Sequence, residues 1–130
     1  MISNGTSVSK GARITGWILS ILPCLMFIGG GVMALIQGDK MAADVEKMGW
    51  TVQHMQKLAI VEIVCAILYL IPQTSVLGAI LLTAYLGGAV ATHVRINDPL
   101  WFVPVIFGIV IWLGLFLREP RVRALVPLKH

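Results

Sequence analysis

Acid is what this sequence has least of. It holds six Asp and Glu residues against ten Lys and Arg, and charged residues make up only 12% of it. An ordinary soluble domain carries about 25%. With 58% hydrophobic residues and a mean hydropathy of +0.89, a chain of 130 residues would leave much apolar surface in water. The shortage of charge therefore argues against a soluble domain. It points to a single integral membrane domain over residues 1–130.

Cysteine is also scarce. Cys24 and Cys65 form no CxxC pair, and each sits in an apolar run. They read as small packing residues. His54, His93, Glu62 and the cysteines show no metal-ligand spacing, so no metal site is expected. There is no G-x-S-x-G and no H-E-x-x-H, and no base lies near Ser20 or Ser75. A hydrolase is not supported, and no catalytic residue is assigned. Gly29 to Gly31 lie inside an apolar run and not after a strand, so they are no dinucleotide loop. The net charge is +4, but the basic residues lie between apolar blocks and form no stripe. Nucleic acid is therefore not an expected partner.

What is present is apolar length. Crossing the hydrocarbon takes about 20 mostly apolar residues. Four runs approach this, giving expected spans over 14–36, 55–71, 76–94 and 100–117. Lys10 and Arg13 precede the first run, and Val32-Met33-Ala34 loosely resembles a signal cleavage site. The run exceeds a signal core of about 7–15 residues, so a retained helix is expected. "PQTS", Pro72 to Ser75, makes the second and third spans an antiparallel hairpin, because Pro72 disfavours helix at Ile71. "RINDP", Arg95 to Pro99, breaks the third span from the fourth.

The longest connection, from Gln37 to Lys57, places Met41, Ala42, Val45 and Met48 at helical spacing. It reads as a short amphipathic helix, lying at the interface or folded over the mouth of the bundle. Trp50 suits the interface. Pro23 and Pro104 fall inside runs and are each expected to kink a helix. Gly87 and Gly88 are expected to admit a neighbouring helix. The fold class that follows is an all-α membrane protein, an antiparallel bundle of four transmembrane helices with that amphipathic helix between the first two.

Four spans put both termini on one side, with Lys10, Arg13, Arg118, Arg121, Arg123 and Lys129. Lys40, Lys47, Lys57 and Arg95 fall on the other. The excess of basic residues places the termini in the cytoplasm. The ending "LREPRVRALVPLK" reads as a stop-transfer anchor.

"GAILLTAYLGGAVATHVR" and then "GIVIWLGLFLREPRVRALVP", with "LAIVEIVCAILYLIPQTSVLGAILL" before them, resemble the DoxX-like family of small four-helix bacterial membrane proteins. The likeness runs from about Gly16 to Pro127. It implies a four-helix fold in the bacterial inner membrane. One namesake of the family is a membrane subunit of a thiosulfate:quinone oxidoreductase. Other relatives are linked with oxidative-stress complexes or with the assembly of membrane proteins.

Glu62 is the sharpest polar feature, since an ionisable group within a span is costly and faces the interior or a partner. Folding the hairpin at Gln73-Thr74 pairs positions whose numbers sum to about 147–148, which sets Glu62 near Tyr85 to Ala89. Tyr85, Ala89, Thr92 and His93 share one side of their helix. Glu62, Tyr85, Thr92 and His93 are therefore expected to meet in a polar pocket near the outer face. Arg95 and the segment Thr51 to Lys57 are placed to close it. Three readings stay open. The polar groups satisfy one another and fix helix register; or the pocket binds a lipophilic molecule such as a quinone or lipid; or Glu62 and His93 move protons beside a membrane or redox partner protein. The functional expectation is a non-enzymatic membrane component with a ligand-binding, assembly or structural role. The alternative is a membrane subunit of a quinone-linked oxidoreductase. The cofactor is unknown, with a quinone as the candidate.

Overall fold

The computed structural model describes residues 8–125. Lys129 and the end of the basic tail lie outside the described residues. Among the described residues every regular element is a helix.

Helix α1 spans Lys10–Ile36. It starts ahead of its apolar run because the Ser9 hydroxyl accepts from the Ala12 N–H at 3.1 Å, satisfying one of the free donors of the first turn. Pro23 lies inside α1, and the helix continues on both sides of it. A 3₁₀ turn over Gly38–Met41 leads into the short α2, Ala42–Lys47. Helix α3 spans Val52–Leu70, with Thr51 capping its start through the His54 N–H at 3.1 Å. It stops where Ile71 turns extended, as the following proline requires. A 3₁₀ turn over Pro72–Thr74 then opens α4, Ser75–Arg95. Helices α5, Val103–Arg118, and α6, Pro120–Arg123, complete the chain.

Three stretches are long and apolar enough to cross a membrane: Lys10–Ile36, Val52–Leu70 and Pro72–Arg95. The fourth, Val103–Arg118, is apolar but shorter. Its start differs from the expected 100–117 span for a local reason. Asp98 accepts from the Leu100 N–H at 2.8 Å, and Leu100 to Phe102 stay in a turn. Pro104 then falls in the first turn of α5, where its missing N–H leaves nothing unpaired. The kink expected at Pro104 is therefore replaced by a helix start.

α1 packs against α3 and α5, and α4 packs against the same two helices. Between them lie Cys24, Tyr69, Leu82, Ile111 and Leu115, all fully enclosed. Large apolar side chains such as Leu22, Leu25, Ile60, Ile80 and Ile109 point outward. An apolar exterior of this extent suits lipid and not water.

Small residues set how closely the helices approach, and the sequence points to some of these places, Gly78 among them, but not to all. A methyl on Gly16 would lie 2.7 Å from the Gly114 carbonyl oxygen, so α1 and α5 touch backbone to backbone. A methyl on Gly78 would overlap the backbone of Tyr69 at the base of the α3–α4 hairpin. Gly87 and Gly88, expected to admit a helix, have open space where a Cβ would stand. They border hollows instead of contacts.

Candidate functional site

Glu62 stands on α3 with one oxygen toward α4 and one toward α1. The Tyr85 hydroxyl donates to Glu62 Oε2 at 2.6 Å. A methyl on Gly30 of α1 would lie 3.8 Å from Oε1. Among the described residues nothing donates to Oε1. No sealed-off side-chain oxygen or nitrogen lacks a partner there, so Oε1 faces open space.

That space is a cavity of about 690 Å³. Its inner wall is α3 and α4, and Gly30, Gly31 and Ala34 contribute one flank from α1. Glu62, Tyr85, Thr92 and His93 all line it, so four of the five expected site residues share one hollow. The roof is α2 and its flanks. Met41, Val45 and Met48, three of the four apolar positions read as an amphipathic face, turn into the cavity with Asp44 and Trp50. Of the segment Thr51 to Lys57, Met55 reaches the lining. The Trp50 ring meets His54 edge-on at 6.0 Å between centroids.

Arg95 is not part of the lining. Its guanidinium donates to the Met48 carbonyl. Gly49, beside it, holds a positive φ of 84°, a conformation that glycine adopts freely. A Cβ at Gly49 would stand against that guanidinium. Arg95 thus latches the end of α4 to the turn after α2 and holds the roof down.

The other polar side chains are engaged within the protein. Thr92 donates to the Gly88 carbonyl at 2.9 Å. His93 places Nδ1 2.6 Å from the Ala89 carbonyl and Nε2 3.7 Å from Asp98. The lining therefore keeps two carboxylates, Asp44 and Glu62, and no Lys or Arg. Apart from His93 Nε2, which faces Asp98, its strong side-chain donor without a hydrogen bond among the described residues is the Trp50 indole N–H. Among those residues, no three His, Cys, Asp or Glu gather as a metal-ligand set.

A second polar cluster sits toward the hairpin base. Arg118 is only 8% exposed. Its Nε donates to Ser20 at 3.0 Å and its NH2 group to the Tyr69 carbonyl at 2.9 Å. Ser20 lies 3.0 Å from the Tyr69 hydroxyl, which donates to the Ile111 carbonyl at 2.5 Å. The guanidinium also lies over the Trp17 ring at 4.1 Å from its centroid. Near the end of α3 a carbonyl lacks its helical partner, and Arg118 supplies one. In the sequence Arg118 reads as an orienting surface charge, and nothing in its spacing marks this cluster. The available signal was a serine and a tyrosine within apolar runs, together with an arginine directly at the end of one.

A second hollow, about 730 Å³, lies between α4 and α5. Gly87, Val90, Gly108, Ile109 and Leu113 help to line it, and Trp112 donates to Thr83 at its edge at 2.7 Å. It holds no ionisable group.

No curated protein and no solved structure matches this chain significantly. One family model does, that of the DoxX-like family, over residues 18–114. The matched segment runs from within α1 to within α5 and takes in every side chain that lines the cavity. The apolar helices fit the membrane protein that this match implies. Covering roughly three quarters of the sequence, the match shows that the chain belongs to the DoxX-like family.

Proposed function

We propose that the protein is a non-enzymatic membrane component that binds a small lipophilic molecule in the cavity beneath α2. In this reading α1, α3, α4 and α5 are four antiparallel spans of one domain in the bacterial inner membrane. The termini face the cytoplasm with Lys10, Arg13, Arg118, Arg121 and Arg123. The cavity then lies near the outer face.

One observation carries the binding role. The Glu62–Tyr85 pair is not closed off but opens through Oε1 into a hollow of about 690 Å³. Sites for small molecules commonly enclose about 300–1,000 Å³, with few polar groups in an apolar wall. A pair that served helix register alone would need no such space beside it. The alternative, a membrane subunit of a quinone-linked oxidoreductase, would place a quinone in the same hollow. The Trp50 indole N–H is the observation that favours it, as a donor to a quinone oxygen.

Gly88→Leu tests the reading. The position lines the cavity and has open space at its Cβ, so a side chain added there projects into the hollow. Native mass spectrometry of protein released from nanodiscs is expected to show a bound small molecule on the wild type. Gly88→Leu is expected to lose most of it while keeping its unfolding midpoint. Equal occupancy of both proteins would contradict the proposal.

A further inference from the structure

The cavity's polar groups differ in kind as well as place. Tyr85 directs its hydroxyl hydrogen to Glu62, and Thr92 directs its own to the Gly88 carbonyl. Both face a ligand chiefly as acceptors. Glu62 Oε1 and the Asp44 carboxylate are acceptors too when ionised. No Lys or Arg lines the hollow, and Arg95 is turned away onto Met48. The remaining strong donor, the Trp50 indole, sits at an exposed rim.

A carboxylate in an apolar cavity is stabilised by a cation that also donates hydrogen bonds. His93 also lines the hollow, but its Nδ1 lies against the Ala89 carbonyl and its Nε2 faces Asp98, so the wall leaves no free cation for Glu62. Tyr85 and Trp50 contribute aromatic rings to the lining, and Met41, Met48 and Met55 contribute polarisable thioethers. A quinone brings only acceptor oxygens, and a neutral alcohol brings a donor without charge.

The geometry points to a lipophilic amine, bound as its ammonium, as the occupant of this cavity, with Glu62 Oε1 accepting its N–H. This assignment rests on the cavity-binding reading above. The ammonium sits between α1 and α4 at the level of Gly30, and its apolar tail lies along the methionines beneath α2. The amine's source is either a free lipophilic amine or the amino headgroup of a lipid. A zwitterionic lipid would bring a phosphate that meets no lining cation, which favours the free amine.

The test uses the full chain in phosphatidylglycerol nanodiscs, with three probes of similar size: 4-phenylbutylamine, 4-phenylbutanol and menadione. Binding is taken as the difference between wild type and Gly88→Leu, which removes partition into lipid. The amine is expected to bind about tenfold or more tighter than the alcohol, since a charged hydrogen bond distinguishes them. Glu62→Gln is expected to bring the amine down to the level of the alcohol. Alcohol or menadione binding as tightly as the amine, still abolished by Gly88→Leu, overturns the amine and leaves the cavity reading standing. Equal binding of the amine to wild type and Glu62→Gln overturns it as well. No difference between wild type and Gly88→Leu for any probe overturns both readings. A further arm adds phosphatidylethanolamine to the nanodiscs. Displacement of the amine probe assigns the same site to the lipid headgroup, and undiminished binding assigns it to the free amine.

Discussion

Arg118→Met is expected to destabilise the fold by about 3 kcal/mol, because it removes two charge-assisted hydrogen bonds from an enclosed place. The guanidinium reaches Ser20 on α1 and the Tyr69 carbonyl on α3 from the last residue of α5. It therefore ties three helices at one point. Methionine can fill part of the volume but can donate to neither acceptor. Arg118→Lys is expected to recover less than half of the loss. An ammonium cannot present the two-pronged donor fork, nor stack on Trp17 as a flat guanidinium does. Unfolding in mild micelles titrated with a denaturing detergent, followed by helical circular dichroism, measures both. An unchanged midpoint for Arg118→Met would show that the cluster does not hold the helices together.

Gly78→Leu is expected to act at least as strongly, by about 3 kcal/mol or more. The reason is steric. Any Cβ at this position overlaps backbone atoms of Tyr69, and backbone cannot rotate aside as a side chain does. The hairpin base is held from several directions. Thr74 donates to the Leu68 carbonyl at 2.7 Å, and Ser75 donates to the Pro72 carbonyl at 3.1 Å. To admit the leucine, α3 and α4 must part and strain these bonds. The matched control is Gly88→Leu on the same helix, which meets open space. The same unfolding assay is expected to show a large loss for Gly78 and little change for Gly88. Similar losses at both would mean that the helix contacts are misplaced.

The two glycines also show where sequence reasoning reaches. Glycine within an apolar run signals either a close contact or a hollow, and spacing alone does not separate them. Gly78 lies three residues into α4, so the short turn fixes its neighbour. Gly88 lies far along the helix, where its surroundings depend on α2, which crosses from elsewhere. The register of Glu62 with Tyr85 was legible for the same reason as Gly78. A short turn at Pro72–Thr74 leaves little freedom, so counting outward from it pairs the two.

The Arg118 cluster was not legible, because its members lie 49 and 98 positions apart and no short turn links their helices. Nothing in the order of residues says that α1 and α5 touch through Gly16 and Gly114. Arg95 illustrates a third case. Its place at the end of α4 was legible, but its partner is a backbone carbonyl, which carries no mark in sequence. The apolar run extends to either side of Pro104, so spacing alone predicts a kink there. The Asp98 cap on Leu100 delays the helix and places the proline in its first turn.

The cavity reading depends on one physical claim: the hollow beside Glu62 is occupied in the membrane by something other than the protein's own side chains. A density map of the full chain in lipid nanodiscs, at a detail that resolves side chains, measures this most directly. The expected result is elongated density between α2 and α4, beginning within hydrogen-bond reach of Glu62 Oε1 and running past Met48 and Met55. A collapsed hollow, with Met48 and Trp50 packed onto the Glu62–Tyr85 pair and no density between them, would contradict the account.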